Sequence, residues 1–211
     1  MDAAGARRAA LIGHSMGGQI ILEAYEQLGG RVTSLVMLTA PFESPIKTFY
    51  GRDFSTVFHA VRRALTVLPR STVVGWRALL LLNPPLTHRL AQLTRALGPG
   101  AKLEDMASYY HHMAYLDPLV ILMMAEAMRT HSAAEVLPKV IVPTLIVAGS
   151  RDTFTPVSLA EFMYATLPNS ELVMIEGGSH GAVIEKPDEV NSAITSFLAR
   201  RQPSTEPLDL A

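Results

Sequence analysis

The sequence predicts an α/β fold in which a parallel sheet of about four strands carries a large inserted helical lid. Short apolar runs bounded by glycine or proline occur near the N-terminus and again after residue 140, and helical patterns separate them. This alternation is typical of parallel strands that are buried on both faces. Residues 41–136 have helix patterns only. We therefore expect residues 1–40 and 137–200 to form the core, residues 41–136 the lid, and residues 201–211 a flexible tail.

Composition and charge exclude several classes of function. The 211 residues are 49% hydrophobic, and 18 basic against 19 acidic residues leave a net charge of −1. Because no basic stripe is present, we expect no nucleic-acid partner. The sequence has no cysteine and no apolar run of about 18 residues that could span a membrane. The first residues do not have the pattern of a signal peptide, so we expect a cytoplasmic protein.

The feature with the clearest chemistry is the run 11–18, Leu-Ile-Gly-His-Ser-Met-Gly-Gly. In it, Ser15 ends a strand pattern and precedes a helix pattern. A serine hydroxyl is a weak nucleophile, so it needs a tight strand-to-helix turn with a base beside it. Gly13 and Gly17 flank the serine where we expect a β-carbon to crowd the turn. The amide of Met16 lies at the helix N-terminus, where it can bind an oxyanion.

This run resembles the nucleophile elbow of the α/β-hydrolase superfamily, in particular its esterase- and lipase-like members with Gly-His-Ser-Met-Gly. The resemblance implies that the elbow strand, residues 9–12, is the fifth of about eight strands. We therefore expect the chain to be an N-terminally truncated member that starts at an internal methionine. Without an upstream neighbour the elbow strand becomes an apolar edge, through which we expect self-association.

A second apolar run, residues 31–38, predicts the next parallel strand, and helices are predicted after it. Their expected bounds are residues 54–68, 71–82, 87–97, 103–115 and 118–129, with proline or glycine between them. Their apolar faces are rich in leucine and methionine. Methionine adapts its shape to apolar ligands, although most leucine and methionine residues at helical spacing pack in cores.

The expected lid contains two pairs of adjacent residues whose roles need to be considered. His111 and His112 are neighbours on a helix and point about 100° apart, so we expect no metal site there. Tyr109 and Tyr110 either line the pocket or pack the lid onto the core.

Two C-terminal loops follow predicted strands and carry further polar residues. Residues 141–149 form a buried strand pattern that leads to Asp152 in a Gly-x-x-Asp-x-x-x-Pro motif. Thr155 is expected to cap the next helix, with Pro156 at its first position. Residues 171–175 predict the last strand, which a glycine-rich loop carrying His180 follows. A helix that starts at Pro187 is predicted to close the core.

Ser15, Asp152 and His180 thus each follow a strand, at the edge where parallel α/β sheets place their chemistry. Acyl transfer by serine needs a base and a carboxylate that orients it. The order serine, acid, histidine is that of α/β-hydrolases, and the loops around Asp152 and His180 also resemble that family. Glu43, after the second strand, is the alternative acid, because some family members carry their carboxylate there.

The resemblance implies a serine hydrolase that cleaves a carboxylic ester, or a related acyl bond, of a small apolar molecule through an acyl-enzyme. No cofactor and no metal are expected. Family members that dehalogenate or open epoxides use an aspartate at the elbow, so Ser15 disfavours those activities. The alternative is an inactive or incomplete scaffold, because the family's second oxyanion donor would come from a loop upstream of Met1.

Overall fold

The computed structural model describes residues 1–67 and 71–201. The predicted tail therefore lies outside the described residues, apart from Arg201. Within the described ranges, none of the helices combines the length and the apolar character that crossing a bilayer requires.

The described residues form a four-stranded parallel sheet, which confirms the predicted fold class. Its strands are β1 (Ala9–His14), β2 (Val32–Leu38), β3 (Thr144–Gly149) and β4 (Ser170–Ile175), in that spatial order. The register pairs His14 with Leu38 and Gly149 with Ile175. Because neighbouring strands end at the same level, the loops that follow them meet at the carboxyl end of the sheet.

Helices connect the strands and cover both faces of the sheet. They are α1 (Gly17–Leu28), α2 (Ser55–Val67), α3 (Ser71–Leu82), α4 (Pro84–Leu93), α5 (Leu103–Tyr115), α6 (Pro118–Thr130), α7 (Val157–Thr166), α8 (Ala182–Glu185) and α9 (Pro187–Ala199). Leu35 and Met37 of β2 point toward the core that α1 and α7 cover, where Leu22 and Met163 lie. The alternate residues of β2 face the core that α9 covers, around Phe197.

Burial differs between the inner and the outer strands. All six residues of β3 are buried, as its continuous apolar sequence predicts for a strand with a neighbour on each side. Among the described residues, β1 pairs with β2 alone, and Ile12 on it is 49% exposed. The strand that leads to Ser15 is therefore an edge strand in this structure.

Residues 41–136, which we call the helical segment, contain α2 to α6 at nearly the predicted bounds. The third helix is the exception, because it begins at Pro84 and ends at Leu93 instead of covering residues 87–97. The two prolines that suggested a break instead start the helix, since proline has no N–H to lose in the first turn. The side chain of Asn83 caps this helix by accepting from the Leu86 amide at 3.1 Å.

The helical segment has a small core of its own around Tyr110. Tyr110 is buried, and its hydroxyl lies 3.0 Å from Nδ1 of the buried His88 ring. Of the two alternatives for the tyrosine pair, Tyr110 packs the segment, whereas Tyr109 is 53% exposed. Ile184 of α8 packs against the same cluster, so the segment contacts the sheet core next to the loop of His180.

The two glycines that flank Ser15 have different surroundings. A β-carbon on Gly13 would lie 2.3 Å from the carbonyl oxygen of Gly17, which confirms that a side chain at this position would crowd the turn. The expectation for Gly17 is wrong. Apart from its own helix and its chain neighbours, no atom lies within 4 Å of the place of its β-carbon, because the residue opens α1 on an uncrowded side.

We expect Gly13→Ala to lower the free energy of unfolding by about 1–3 kcal/mol, because its methyl group overlaps backbone that cannot move without distorting the turn. Gly17→Ala is the matched control. We expect it to keep or raise stability, by up to about 1 kcal/mol, since alanine is the better helix former. Urea unfolding followed by circular dichroism measures both variants. Equal losses at the two positions would contradict the difference in crowding.

Candidate active site

Ser15 occupies a strained turn between β1 and α1. Its φ of 52° lies in the left-handed region that residues with a β-carbon rarely adopt. The turn is held by two hydrogen bonds: the Ser15 amide donates to Leu38 O at 3.0 Å, and the Gly18 amide donates to Ser15 O at 2.9 Å. This conformation turns the hydroxyl out of the strand and toward the loop that follows β4.

The structure brings the three sequence-predicted residues together. Nε2 of His180 lies 2.9 Å from Oγ of Ser15, and Nδ1 of His180 lies 2.9 Å from Oδ2 of Asp152. The Asp152 side chain is 0% exposed and the His180 side chain 17% exposed. A hydroxyl, an imidazole and a buried carboxylate are therefore connected by two hydrogen bonds, an arrangement that can pass a proton from the serine to the ring.

The Asp152 carboxylate is buried but well supplied with donors. Its Oδ1 accepts from the amides of Phe154 at 2.8 Å and Thr155 at 2.9 Å. Its Oδ2 accepts from the Thr155 hydroxyl at 2.6 Å as well as facing the ring of His180. A buried carboxylate is tolerated only where such hydrogen bonds replace those to water. The loop after β3 therefore fixes the carboxylate in one orientation.

Thr155 does not have the role that the sequence predicted. Helix α7 begins at Val157, has Pro156 as its cap residue, and receives no side-chain cap. The Thr155 hydroxyl instead contacts Asp152 Oδ2 and lies 3.0 Å from Thr39 O and 3.5 Å from Nδ1 of His180. Sequence reasoning missed this site residue. The signal that could have found it is its position three residues after an aspartate, where a hydroxyl or amide bonds back to the carboxylate.

Thr39 is a second residue that the sequence did not reveal. It follows β2, is buried, and has a φ of 40°. Its amide donates to Val147 O at 2.8 Å, and its hydroxyl donates to His180 O at 3.2 Å. Thr39 thereby connects the ends of β2 and β3 to the loop of His180. This contact joins residues 141 positions apart, so no local sequence pattern predicts it.

The loops of Asp152 and His180 touch through their backbones. A β-carbon on Gly149 would lie 2.5 Å from Gly178 O and 2.6 Å from Ser179 O, so only glycine allows this approach. The Arg151 amide donates to Gly178 O at 2.8 Å across the same contact. The close approach of the two loops thus explains why the Gly-x-x-Asp motif begins with glycine.

Glu43, the alternative acid, makes a backbone contact with the far, C-terminal end of the helical segment. It forms an antiparallel backbone bridge with Ser132 at the base of the helical segment. Among the described residues, Asp152 supplies the carboxylate that lies within hydrogen-bond distance of the His180 ring. The geometry therefore favours Asp152 over Glu43.

Met16 precedes the first residue of α1 and has helical dihedral angles, φ −51° and ψ −26°. Its amide lies at the helix start, where N–H groups have no acceptor within the helix. A pocket of about 340 Å³ begins beside Met16 and continues between α1 and α6. Its lining is mainly apolar, with Ile20, Ala24 and Met128 among its walls. Within the described residues, no group of three or more metal-binding side chains is arranged to hold an ion.

Two further rings surround His180. Phe154 stacks on the imidazole, with ring centroids 5.3 Å apart. His14 also lies beside the imidazole, with its centroid 5.4 Å away and its Nε2 3.3 Å from His180 O. Partial loss of hydration lowers the pKa of His14, and the neighbouring imidazole of His180 lowers it further.

Comparison with known proteins gives a consistent family. The model of the alpha/beta hydrolase family matches residues 1–193. The chain is 24% identical over 203 residues to the putative carbamate hydrolase RutD of Klebsiella pneumoniae (strain 342), which covers 96% of this chain and 70% of that protein.

A second relative and a solved structure extend this comparison. The chain is 27% identical over 210 residues to a 2-hydroxy-6-oxononadienedioate/2-hydroxy-6-oxononatrienedioate hydrolase of Pseudomonas sp, covering 95% of this chain and 66% of that one. An esterase from Exiguobacterium antarcticum has the same fold, with a TM-score of 0.67 and 21% identity over 94% of this chain and 69% of that one.

We expect the pKa of His14 to lie below its ordinary value and His180→Gln to raise it, because the variant removes the imidazole, one of the two effects that lower this pKa. Because the pKa of His14 is lower in the folded protein than in the unfolded chain, the contribution of this ring to stability is fully present above about pH 6.5 and is lost as pH falls through the lowered pKa. Two-dimensional NMR titration of the imidazoles measures the values. A lower pKa of His14 in the variant would show that His180 does not repel its charge.

Proposed function

The chain belongs to the alpha/beta hydrolase family, and on that premise we propose that it is a serine hydrolase that cleaves a carboxylic ester or a related acyl bond. One observation carries the proposal: the hydrogen bonds from Ser15 Oγ to His180 Nε2 and from His180 Nδ1 to Asp152 Oδ2 form one continuous chain. In this proposal Ser15 is the nucleophile, His180 the base and Asp152 the acid that orients the base.

The proposed reaction follows from these positions. Nε2 of His180 takes the hydroxyl proton while Ser15 Oγ bonds to the acyl carbon of the substrate. The Asp152 carboxylate stabilises the imidazolium that forms, and the Met16 amide donates to the oxyanion of the tetrahedral intermediate. His180 then gives the proton to the leaving alcohol, which leaves the acyl group on Ser15. Water then gives a proton to the same ring and bonds to the acyl carbon. The bond from that carbon to Ser15 Oγ breaks as the ring returns the proton to Oγ, which releases the acid and restores the serine.

The surroundings of Met16, the residue after Ser15, support one substrate class. The pocket beside it has apolar walls on α1 and α6, which suits a substrate with an apolar acyl or alcohol part. One relative is named a putative carbamate hydrolase and one solved neighbour an esterase, and esters and carbamates share the acyl carbonyl that such a serine attacks. We infer that the helical segment acts as a lid, because its residue Met128 closes one side of this pocket.

We expect Ser15→Ala to abolish labelling by a fluorophosphonate probe, because the probe forms a covalent bond with an activated serine oxygen. In-gel fluorescence and mass spectrometry of the labelled peptide measure the result. Ser192→Ala, an exposed serine on α9, is the matched control and should label like the original protein. Labelling that persists in Ser15→Ala would refute the nucleophile, and an unlabelled original protein would support the inactive-scaffold alternative.

The choice of acid is tested separately. We expect Asp152→Asn to lower kcat for a chromogenic ester by about 10⁴-fold, because an amide at this position favours the wrong tautomer of the base. Glu43→Gln is the matched control, since Asp152 supplies the carboxylate that contacts the ring at 2.9 Å, and we expect its kcat to stay within about twofold. A larger loss in Glu43→Gln than in Asp152→Asn would overturn the assignment.

A further inference from the structure

Glu185, the last residue of α8, joins two parts of the molecule that are far apart in the sequence. Its Oε2 accepts from the Ser179 amide at 2.9 Å, and its Oε1 accepts from the Ser179 hydroxyl. The same Oε1 accepts from the Gly98 amide at 2.5 Å, across 87 residues of chain. One carboxylate thus binds both the loop that carries His180 and the loop between α4 and α5 in the helical segment.

On the core side, these hydrogen bonds enclose His180. Ser179 directly precedes it and is 3% exposed. The Ser179 hydroxyl oxygen also accepts from the Gly181 amide at 3.1 Å, so the residues on both sides of His180 belong to the network of Glu185. Backbone movement at either residue would change the direction of the imidazole, which lies in hydrogen-bond contact with both Ser15 and Asp152.

On the side of the helical segment, the contact is close-packed. A β-carbon on Gly98 would lie 2.8 Å from Glu185 Oε2, so the backbone of the α4–α5 loop rests directly on the carboxylate. The neighbouring Leu97 is buried in the small core of the helical segment, to which Ile184 of α8 also belongs. The apolar contact and the hydrogen bond therefore join the same two loops.

We propose that Glu185 is a positioning residue that couples the seating of the helical segment to the orientation of His180. This proposal rests on the proposed function, because it concerns the base of the same triad. When the α4–α5 loop is seated, the carboxylate is held in place and fixes the turn at residues 179–181. When the loop lifts, Glu185 loses the Gly98 amide and the turn gains freedom. Hydrolysis is then fastest when the α4–α5 loop is seated on Glu185.

The first test replaces the carboxylate by an amide of the same size. Glu185→Gln loses one acceptor oxygen, so it cannot bind all three donors at once. We expect kcat for a chromogenic ester to fall about 10- to 100-fold with KM changed less than about threefold, because small displacements of a reacting group have effects of this size. Glu189→Gln on α9, whose carboxylate contacts Lys186 at the surface, is the matched control and should keep its kcat.

A second pair of variants tests the coupling itself. Leu97→Ala keeps the carboxylate but loosens the α4–α5 loop, whose Leu97 side chain also packs directly on Gly181, where a β-carbon would lie 2.6 Å from Leu97 Cδ2. We expect it to lower kcat about fivefold to tenfold. In the double variant, kcat should be no lower than in Glu185→Gln alone, because both changes break the same connection. Losses that multiply would show that the two residues act independently and would overturn the proposal. Ser179→Ala keeps the Glu185 carboxylate and removes one donor, so a smaller loss of kcat is expected there.

A spectroscopic readout separates positioning from stability. We expect the Nδ1–H proton of His180 to move upfield in Glu185→Gln, since its hydrogen bond to Asp152 lengthens, whereas Glu189→Gln leaves it in place. An unchanged resonance together with unchanged kcat would overturn the proposal while labelling of Ser15 still supports the proposed function. If the original protein does not label at Ser15, the proposed function fails, and the resonance still reports whether Glu185 orients His180.

Discussion

The hydrogen bond between Asp152 Oδ2 and His180 Nδ1 is the interaction on which the arrangement of the site depends. The carboxylate is fully buried, and the amides of Phe154 and Thr155 occupy its other oxygen. Burying a carboxylate without such donors would destabilise the fold by several kcal/mol. The loop after β3 therefore has little freedom to change shape. Its hydrogen bond to His180 restricts the orientation of the imidazole in turn. We regard this rigidity as the physical basis of the proposed proton transfer from Ser15.

The sheet provides the second constraint, because it holds two residues in strained backbone conformations. Ser15 and Thr39 follow adjacent strands, and both have positive φ. Strain of this kind amounts to about 1–3 kcal/mol per residue. Hydrogen bonds to the neighbouring strand, from Ser15 to Leu38 and from Thr39 to Val147, offset it. Parallel pairing therefore fixes the turn that presents the hydroxyl as well as the core beneath it.

Local sequence patterns predicted much of the fold and named the three residues of the proposed triad, with Glu43 as an alternative acid. Ser15 stands between glycines after an apolar run, and Asp152 and His180 lie in glycine-containing loops after similar runs. Each pattern indicates the carboxyl end of a strand, and the carboxyl ends of neighbouring parallel strands lie close together. The same reasoning erred at Gly17 and Thr155, because spacing alone does not tell which glycine is crowded or where a hydroxyl bonds. It also erred at Pro84, where proline began a helix instead of breaking one.

By itself, the sequence determined the order of strands and helices along the chain and the buried character of β3. It also determined the candidate serine and histidine, and it left Asp152 and Glu43 as alternative acids. These features depend on periodicity and turn chemistry within about ten neighbouring residues. Only the tertiary structure decided that Asp152 and not Glu43 faces His180, that Thr39 holds the histidine loop, and that Glu185 connects this loop to Gly98. Those contacts join residues that are tens to more than a hundred positions apart. Their existence depends on how the strands and loops pack, which no local pattern encodes.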